Sequence, residues 1–119
     1  MMSPGSSIGL TAIFSALADP SRRAILDRLR TEKEATVGEL AEPLEMSLPA
    51  VSKHLKILER AGLLDRRRDG KSFLLKLNPR PLKEASEWIA YYEQFWSESF
   101  DRLENYLLEN DDKDNEYSN

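Results

Sequence analysis

Apolar residues recur along this chain mostly at helical spacing, and between two of the helical stretches they take the alternating spacing of a strand. The stretch Ser47–Gly62, SLPAVSKHLKILERAG, has the clearest pattern. Leu48, Val51, Leu55 and Leu58 fall on one helix face, while Pro49, Lys53 and Lys56 project opposite, with Ser52 and His54 on the flanks. Ser47 can cap the helix, and Pro49 is tolerated in a first turn that makes no use of its amide. Gly62, after Lys56, Arg60 and Ala61, predicts a glycine C-cap. One face is therefore expected in the core. The other, small, polar and basic, suits a groove of nucleic acid.

The pattern before this stretch is also helical. Residues 10–18 (LTAIFSALA) predict a first helix, which Asp19-Pro20 ends, because a residue before proline avoids the helical region and its carboxylate can cap the next helix. That second helix is expected over residues 20–31, with Ile25, Leu26 and Leu29 as its stripe and Arg22, Arg23, Arg28 and Arg30 on solvated surface. Glu32–Ala35 reads as a connector. Thr36-x-x-Glu39 matches a capping box, so a short third helix begins there, burying Val37, Leu40, Ala41 and Leu44 and limited by Pro43. Met46-Ser47 then turns tightly into the Ser47–Ala61 helix, which is a helix-turn-helix arrangement.

Residues 63–69 and 71–77 flank Asp69-Gly70, a pair suited to the positive φ of a two-residue hairpin turn. Phe73, Leu75 and Leu77 alternate onto the inner side. Arg66, Arg67, Arg68 and Lys71 cluster toward the tip, where no core could neutralise them, so the hairpin is expected to act as a wing on phosphate or in a narrow minor groove. Asn78–Pro81 opens a last helix, Leu82–Leu108. Its stripe of Leu82, Ala85, Ile89, Tyr92, Trp96, Leu103 and Tyr106, widened by Trp88, Phe95, Phe100 and Leu107, exceeds what one small domain covers. Dimerisation is the expected remedy, and packing across its own domain is the alternative.

Length and composition fit one domain, residues 10–109, between a disordered leader (1–9) and an acidic disordered tail (110–119). The N-terminal segment lacks the features of a signal peptide and no apolar run could cross a bilayer, so a cytoplasmic protein without membrane contact is expected. The net charge of −4 conceals a division. Residues 53–80 hold nine basic against three acidic side chains, net +6, whereas residues 81–119 hold three against eleven, net −8. The basic block coincides with the amphipathic Ser47–Gly62 helix and the hairpin. The chain has no cysteine and one histidine, which excludes disulfides and thiolate metal sites and leaves no nucleophile with a plausible base. No enzyme activity, metal or cofactor is expected.

These residues resemble the ArsR-type winged-helix transcriptional repressors. Leu17-Ala18-Asp19-Pro20-Ser21-Arg22-Arg23-Ala24-Ile25-Leu26 is similar to the family's opening signature, Ser47–Gly62 to its recognition helix, and Arg67–Lys71 through Leu77-Asn78-Pro79 to its wing. The fold so implied is mainly α with a small β-hairpin, a winged helix-turn-helix whose N- and C-terminal helices form a dimer interface. The resemblance further implies a dimeric repressor of its own operon that binds an inverted repeat in double-stranded DNA. On this reading Ser47, Pro49, Ala50, Ser52, Lys53, His54 and Lys56 face the major groove, and Arg66, Arg67, Arg68 and Lys71 form the wing contact. Leu10, Ile13, Phe14, Leu17, Ile89, Tyr92, Phe95, Trp96, Leu103 and Tyr106 form the homodimer interface. Metal-sensing members carry cysteines where this chain reads Thr36-Val37-Gly38-Glu39-Leu40, so release by soft metals does not transfer. The sequence identifies no small-molecule effector; the aromatic junction around Trp88, Tyr92 and Trp96 is the expected place for one. A winged helix used only to dock protein is the alternative function, and a salt-titrated DNA-binding assay separates the two.

Overall fold

The computed structural model describes residues 8–117, with side chains from Gly9 to Asn110; most of the expected leader and the last residues of the expected tail lie outside this range. The elements run α1 (Ile8–Leu17), α2 (Pro20–Glu32), β1 (Glu34–Thr36), α3 (Val37–Ala41), a 3-10 turn (Glu42–Leu44), α4 (Leu48–Arg60), β2 (Leu64–Asp69), β3 (Ser72–Leu77), α5 (Arg80–Ala90) and α6 (Glu93–Tyr117). They group into two compact units, divided between Ser86 and Glu87.

In the first unit the helix ends form where the capping chemistry lies. The Asp19 carboxylate accepts from the Arg22 amide at 3.0 Å and Pro20 occupies the first turn of α2. Thr36 and Glu39 form the reciprocal capping box of α3. Pro43 falls in the 3-10 turn, and Glu45 leaves it in the left-handed region at φ 51. At the end of α4 the Gly62 amide bonds the Glu59 carbonyl and the Leu63 amide bonds that of Leu58. This 6→1 and 5→2 pair is a Schellman motif, and Gly62 supplies the required positive φ of 77.

Ile25, Leu29, Leu40, Val51, Leu55, Leu58, Leu63 and Leu75 meet in one buried cluster. Leu48 does not join them. It is 58% exposed, because the first turn of α4 projects beyond the cluster that Val51, Leu55 and Leu58 enter. The sheet order is β1-β3-β2, antiparallel throughout. β1 replaces part of the expected connector: its three residues pair with β3 across about forty positions of chain, a relation no local pattern records.

The hairpin register also differs from expectation. Asp69 pairs with Ser72, so the loop residues are Gly70 and Lys71 rather than Asp69 and Gly70. Gly70 has φ 63 and Lys71 is not among the positive-φ residues, the arrangement in which glycine takes the first loop position. Phe73 is 40% exposed rather than inside, whereas Leu75 is fully buried.

In place of one helix from Leu82 to Leu108 there are two. Near Tyr91 and Tyr92 the amides bond back to Trp88 and Ile89, three residues rather than four behind, which tightens the last turn of α5 and ends it without proline or glycine. Beyond it α6 continues to Tyr117, so the backbone of residues 110–117 is helical where composition pointed to a disordered tail. Extending an existing helix requires no new nucleus. No described residue from Glu87 onward is buried.

Candidate nucleic-acid interface

The outward face of α4 is free because its inward face is wholly taken up by the core. Val51, Leu55 and Leu58 are each 0% exposed, and helical geometry then turns Pro49, Ser52, Lys53 and Lys56 to solvent, all of them exposed. Ala50 is half-buried. Ser47, also exposed, has its hydroxyl oxygen engaged by the Ala50 amide at 3.3 Å, which fixes the start of the helix. Lys53 and Lys56 have no ion-pair partner among the described residues.

His54 is placed differently from its neighbours. It is half-buried and turns toward the α1–α2 junction, with Nδ1 3.2 Å from Arg22 Nη1 and 3.8 Å from Asp19 Oδ2. Arg22 itself is held from the other side, donating from Nε to the Ala16 carbonyl at 2.8 Å and from Nη2 to that of Ser15 at 3.0 Å. Arg23 donates to the Leu17 carbonyl at 2.7 Å. These carbonyls close the last turn of α1, where intrahelical amides run out; of the three, that of Ser15 also accepts from the Ala18 amide at 3.2 Å. Arg22 and Arg23, two of the four arginines expected on solvated surface, thus cap α1 from the next helix, Arg22 half-buried and Arg23 still exposed. Spacing alone hid this, since the acceptors lie across a proline turn. Asp19 is held below its ordinary carboxyl value, chiefly by the hydrogen bond from the Arg22 amide, against burial that acts the other way, with the charges of His54 and Arg22 adding to the lowering.

On the wing, each arginine has a partner. Arg66 donates to Glu59 at 2.6 Å, tying β2 to the last turn of α4, and its guanidinium stacks over the Phe73 ring at 5.1 Å. Arg67 reaches Glu34 of β1 at 3.2 Å, and Arg68 donates to the Gly70 carbonyl at 3.3 Å. Only Lys71 and Arg68 are at the tip, since Arg66 pairs with Leu75 and Arg67 with Leu74 further along the ladder. Exposed ion pairs of this kind contribute little and exchange readily, so a phosphate can replace either carboxylate.

Of the residues expected at a dimer interface, Leu10 and Ile13 are buried in the single chain, while Phe14 and Leu17 are half-buried. Ile89, Tyr92, Phe95, Trp96, Leu103 and Tyr106 are all exposed, together with Tyr91, Phe100, Leu107 and Leu108. Trp88 and Tyr92 meet edge to face at 5.2 Å. Among the described residues no group of three histidine, cysteine or carboxylate side chains is arranged to hold a metal, and no helix is long and apolar enough to cross a membrane.

Comparison with known proteins fits this geometry. Residues 17–67 match a family model described as a helix-turn-helix domain. The transcriptional repressor SdpR of Bacillus subtilis (strain 168) is 36% identical over 77 residues, which covers 65% of this chain and 84% of that protein. A solved ArsR family transcriptional regulator, RHA00566, is 36% identical and superposes with a TM-score of 0.70 over 81% of this chain and 95% of its own. The chain belongs to the ArsR family of winged helix-turn-helix transcriptional regulators. As an ArsR-family protein it is a DNA-binding regulator of transcription, and the docking-module alternative has no support from its relatives. Those relatives are named as regulators, not enzymes. A homodimeric winged helix-turn-helix domain from Mycobacterium bovis, 24% identical, shares the fold with a TM-score of 0.55 over 79% of this chain and 83% of its own.

Proposed function

We propose that this ArsR-family regulator is a cytoplasmic homodimeric repressor that reads an inverted-repeat operator. The N-terminal half of α4 enters the major groove and the β2–β3 wing follows the backbone or an adjacent minor groove. The observation that carries this reading is the two-sided character of α4: a fully buried apolar face opposite exposed Ser52, Lys53 and Lys56 with unpaired cations. A helix held in this way can present side chains to base edges without losing its place in the fold. The dimer is supported by the exposed aromatic stripe from Ile89 to Tyr106, and by the homodimeric state of the Mycobacterium bovis neighbour. Two copies of one surface imply half-sites about one helical turn apart, ~10 base pairs or a small multiple.

Helix and wing contribute differently, and a salt series on two variants separates them. Lys53→Ala is expected to weaken binding to the preferred operator by on the order of 1–3 kcal/mol and binding to scrambled duplex by much less. Arg67→Ala is expected to weaken both alike, with the salt slope falling by about one per phosphate contact removed. If Lys53→Ala lowered both affinities equally and Arg67→Ala erased only the operator preference, the assignment of roles would be reversed.

A further inference from the structure

The last turn of α2, β1 and the end of β3 enclose an open cleft of about 650 Å³ in the first unit, within the size range of small-molecule sites. Leu77 and Pro79 supply its accessible apolar lining over the buried Leu29, and Arg30, Lys33 and Lys76 stand around it with Glu32 and Glu34. The acids and the cations are not equivalent. Glu32 is engaged by Arg28 at 3.0 Å and Glu34 by Arg67 at 3.2 Å. Arg30, Lys33 and Lys76 have no ion-pair partner among the described residues, even though Lys76 lies across the strands from both Glu34 and Asp65. The cleft therefore combines an apolar floor with unengaged positive charge.

Lys33 adds an independent observation. It ends α2 with φ 71 and ψ −51, the positive-φ region of a tight γ-turn, which strains any residue but glycine. A lysine here sets a cation at the mouth of the cleft at the expense of backbone comfort. Strain of this kind collects where a side chain has work to do.

We propose that this cleft binds a small amphiphilic anion, its apolar body against Leu77 and Pro79 and its carboxylate or phosphate head held by Lys33, Lys76 and Arg30. The inference concerns the DNA-free chain, in which Glu34 is held by Arg67 of the wing. A surface serving only as a backbone contact needs the cations but not the apolar floor, and it would not select an apolar body.

The test is a titration of the isotopically labelled full chain, without DNA, monitored by amide chemical shifts. The probes are octanoate, 4-butylbenzoate and hexyl phosphate, with uncharged octanamide as control. At least one anion is expected to give saturable shifts centred on Lys33, Glu34, Lys76 and Leu77, and octanamide to bind about ten-fold more weakly or worse. Lys76→Gln, at an exposed position, and Lys33→Gly, which accepts the same backbone angles, should each weaken the anion by about ten-fold. The absence of saturable shifts with all three anions would overturn the proposal, as would equal binding of octanamide, shifts centred elsewhere, or affinities unchanged in both variants. Because DNA is absent, such a failure leaves the operator reading untouched.

Discussion

His54 Nδ1 lies 3.2 Å from Arg22 Nη1, so α4 is joined to the α1–α2 junction through the one histidine of the chain. A guanidinium can only donate, so in this contact Nδ1 is the acceptor. The Asp19 carboxylate at 3.8 Å is beyond hydrogen-bond range and acts on the ring only through its charge. His54 is therefore a tether for α4 as well as a neighbour of the exposed Lys53. The two residues should respond differently to alanine. Lys53→Ala is expected to leave the thermal midpoint unchanged, while His54→Ala lowers it, by on the order of 1 kcal/mol of stability, and DNA affinity falls as the helix loosens. Parallel thermal unfolding of the two proteins checks this, and equal midpoints would show that the tether carries no stability.

The same junction makes stability depend on acid pH. The folded Asp19 carboxyl lies below its ordinary value of 3.8, chiefly through the Arg22 amide. The unfolded chain therefore takes up the proton first as pH falls. The contribution of the cap is complete above the ordinary value and is lost as pH drops through the lowered one. Asp19→Asn keeps a side-chain acceptor but removes the titration. Its unfolding midpoint should fall less steeply with pH below about 4 than that of the parent protein, and identical profiles would exclude Asp19 as a source of the acid sensitivity.

Gly62 predicts a local stability effect. Its φ of 77 is the left-handed value of the Schellman motif, and a Cβ there would come within 3.3 Å of Pro81 Cγ. Gly62→Ala is expected to cost roughly 1–2 kcal/mol from the backbone, somewhat more if Pro81 cannot shift. Gly70, also at positive φ, has nothing within 4 Å of an added Cβ, so Gly70→Ala should cost the backbone share alone. Denaturant unfolding of both variants measures the two losses, and an undiminished stability in Gly62→Ala would contradict the strained cap and the close approach.

The exposed aromatic stripe makes association the next quantity to measure. Trp96 is 40% and Leu103 52% exposed in the single chain. Burying each fully against a partner would contribute roughly 1.5–3 kcal/mol, so Trp96→Ala and Leu103→Ala should shift sedimentation toward monomer. Leu10→Ala, at a site buried in the single chain, should instead lower stability first. A wild-type chain that sediments as a folded monomer at micromolar concentration would remove the basis for the dimer.

The sequence by itself determined the elements whose causes are local. Caps at Asp19, Thr36 and Ser47, the glycine stop at Gly62 and the Val51-Leu55-Leu58 seam are set by residues a few positions apart, and short-range hydrogen bonds or helical periodicity suffice to produce them. The basic block and the absence of cysteine are likewise composition, legible before any fold. Tertiary structure alone decided the relations between distant segments. β1 exists because β3 arrives beside it, the Gly70-Lys71 loop results from the register of the whole ladder, and Arg22 and Arg23 became caps because the Asp19-Pro20 turn returns α2 across the end of α1. His54 was legible as a polar residue on the flank of a helix, but its partner lies thirty-two residues away. Spacing along one helix fixes which way a side chain points, and only the packing of a second helix against it fixes what that side chain meets.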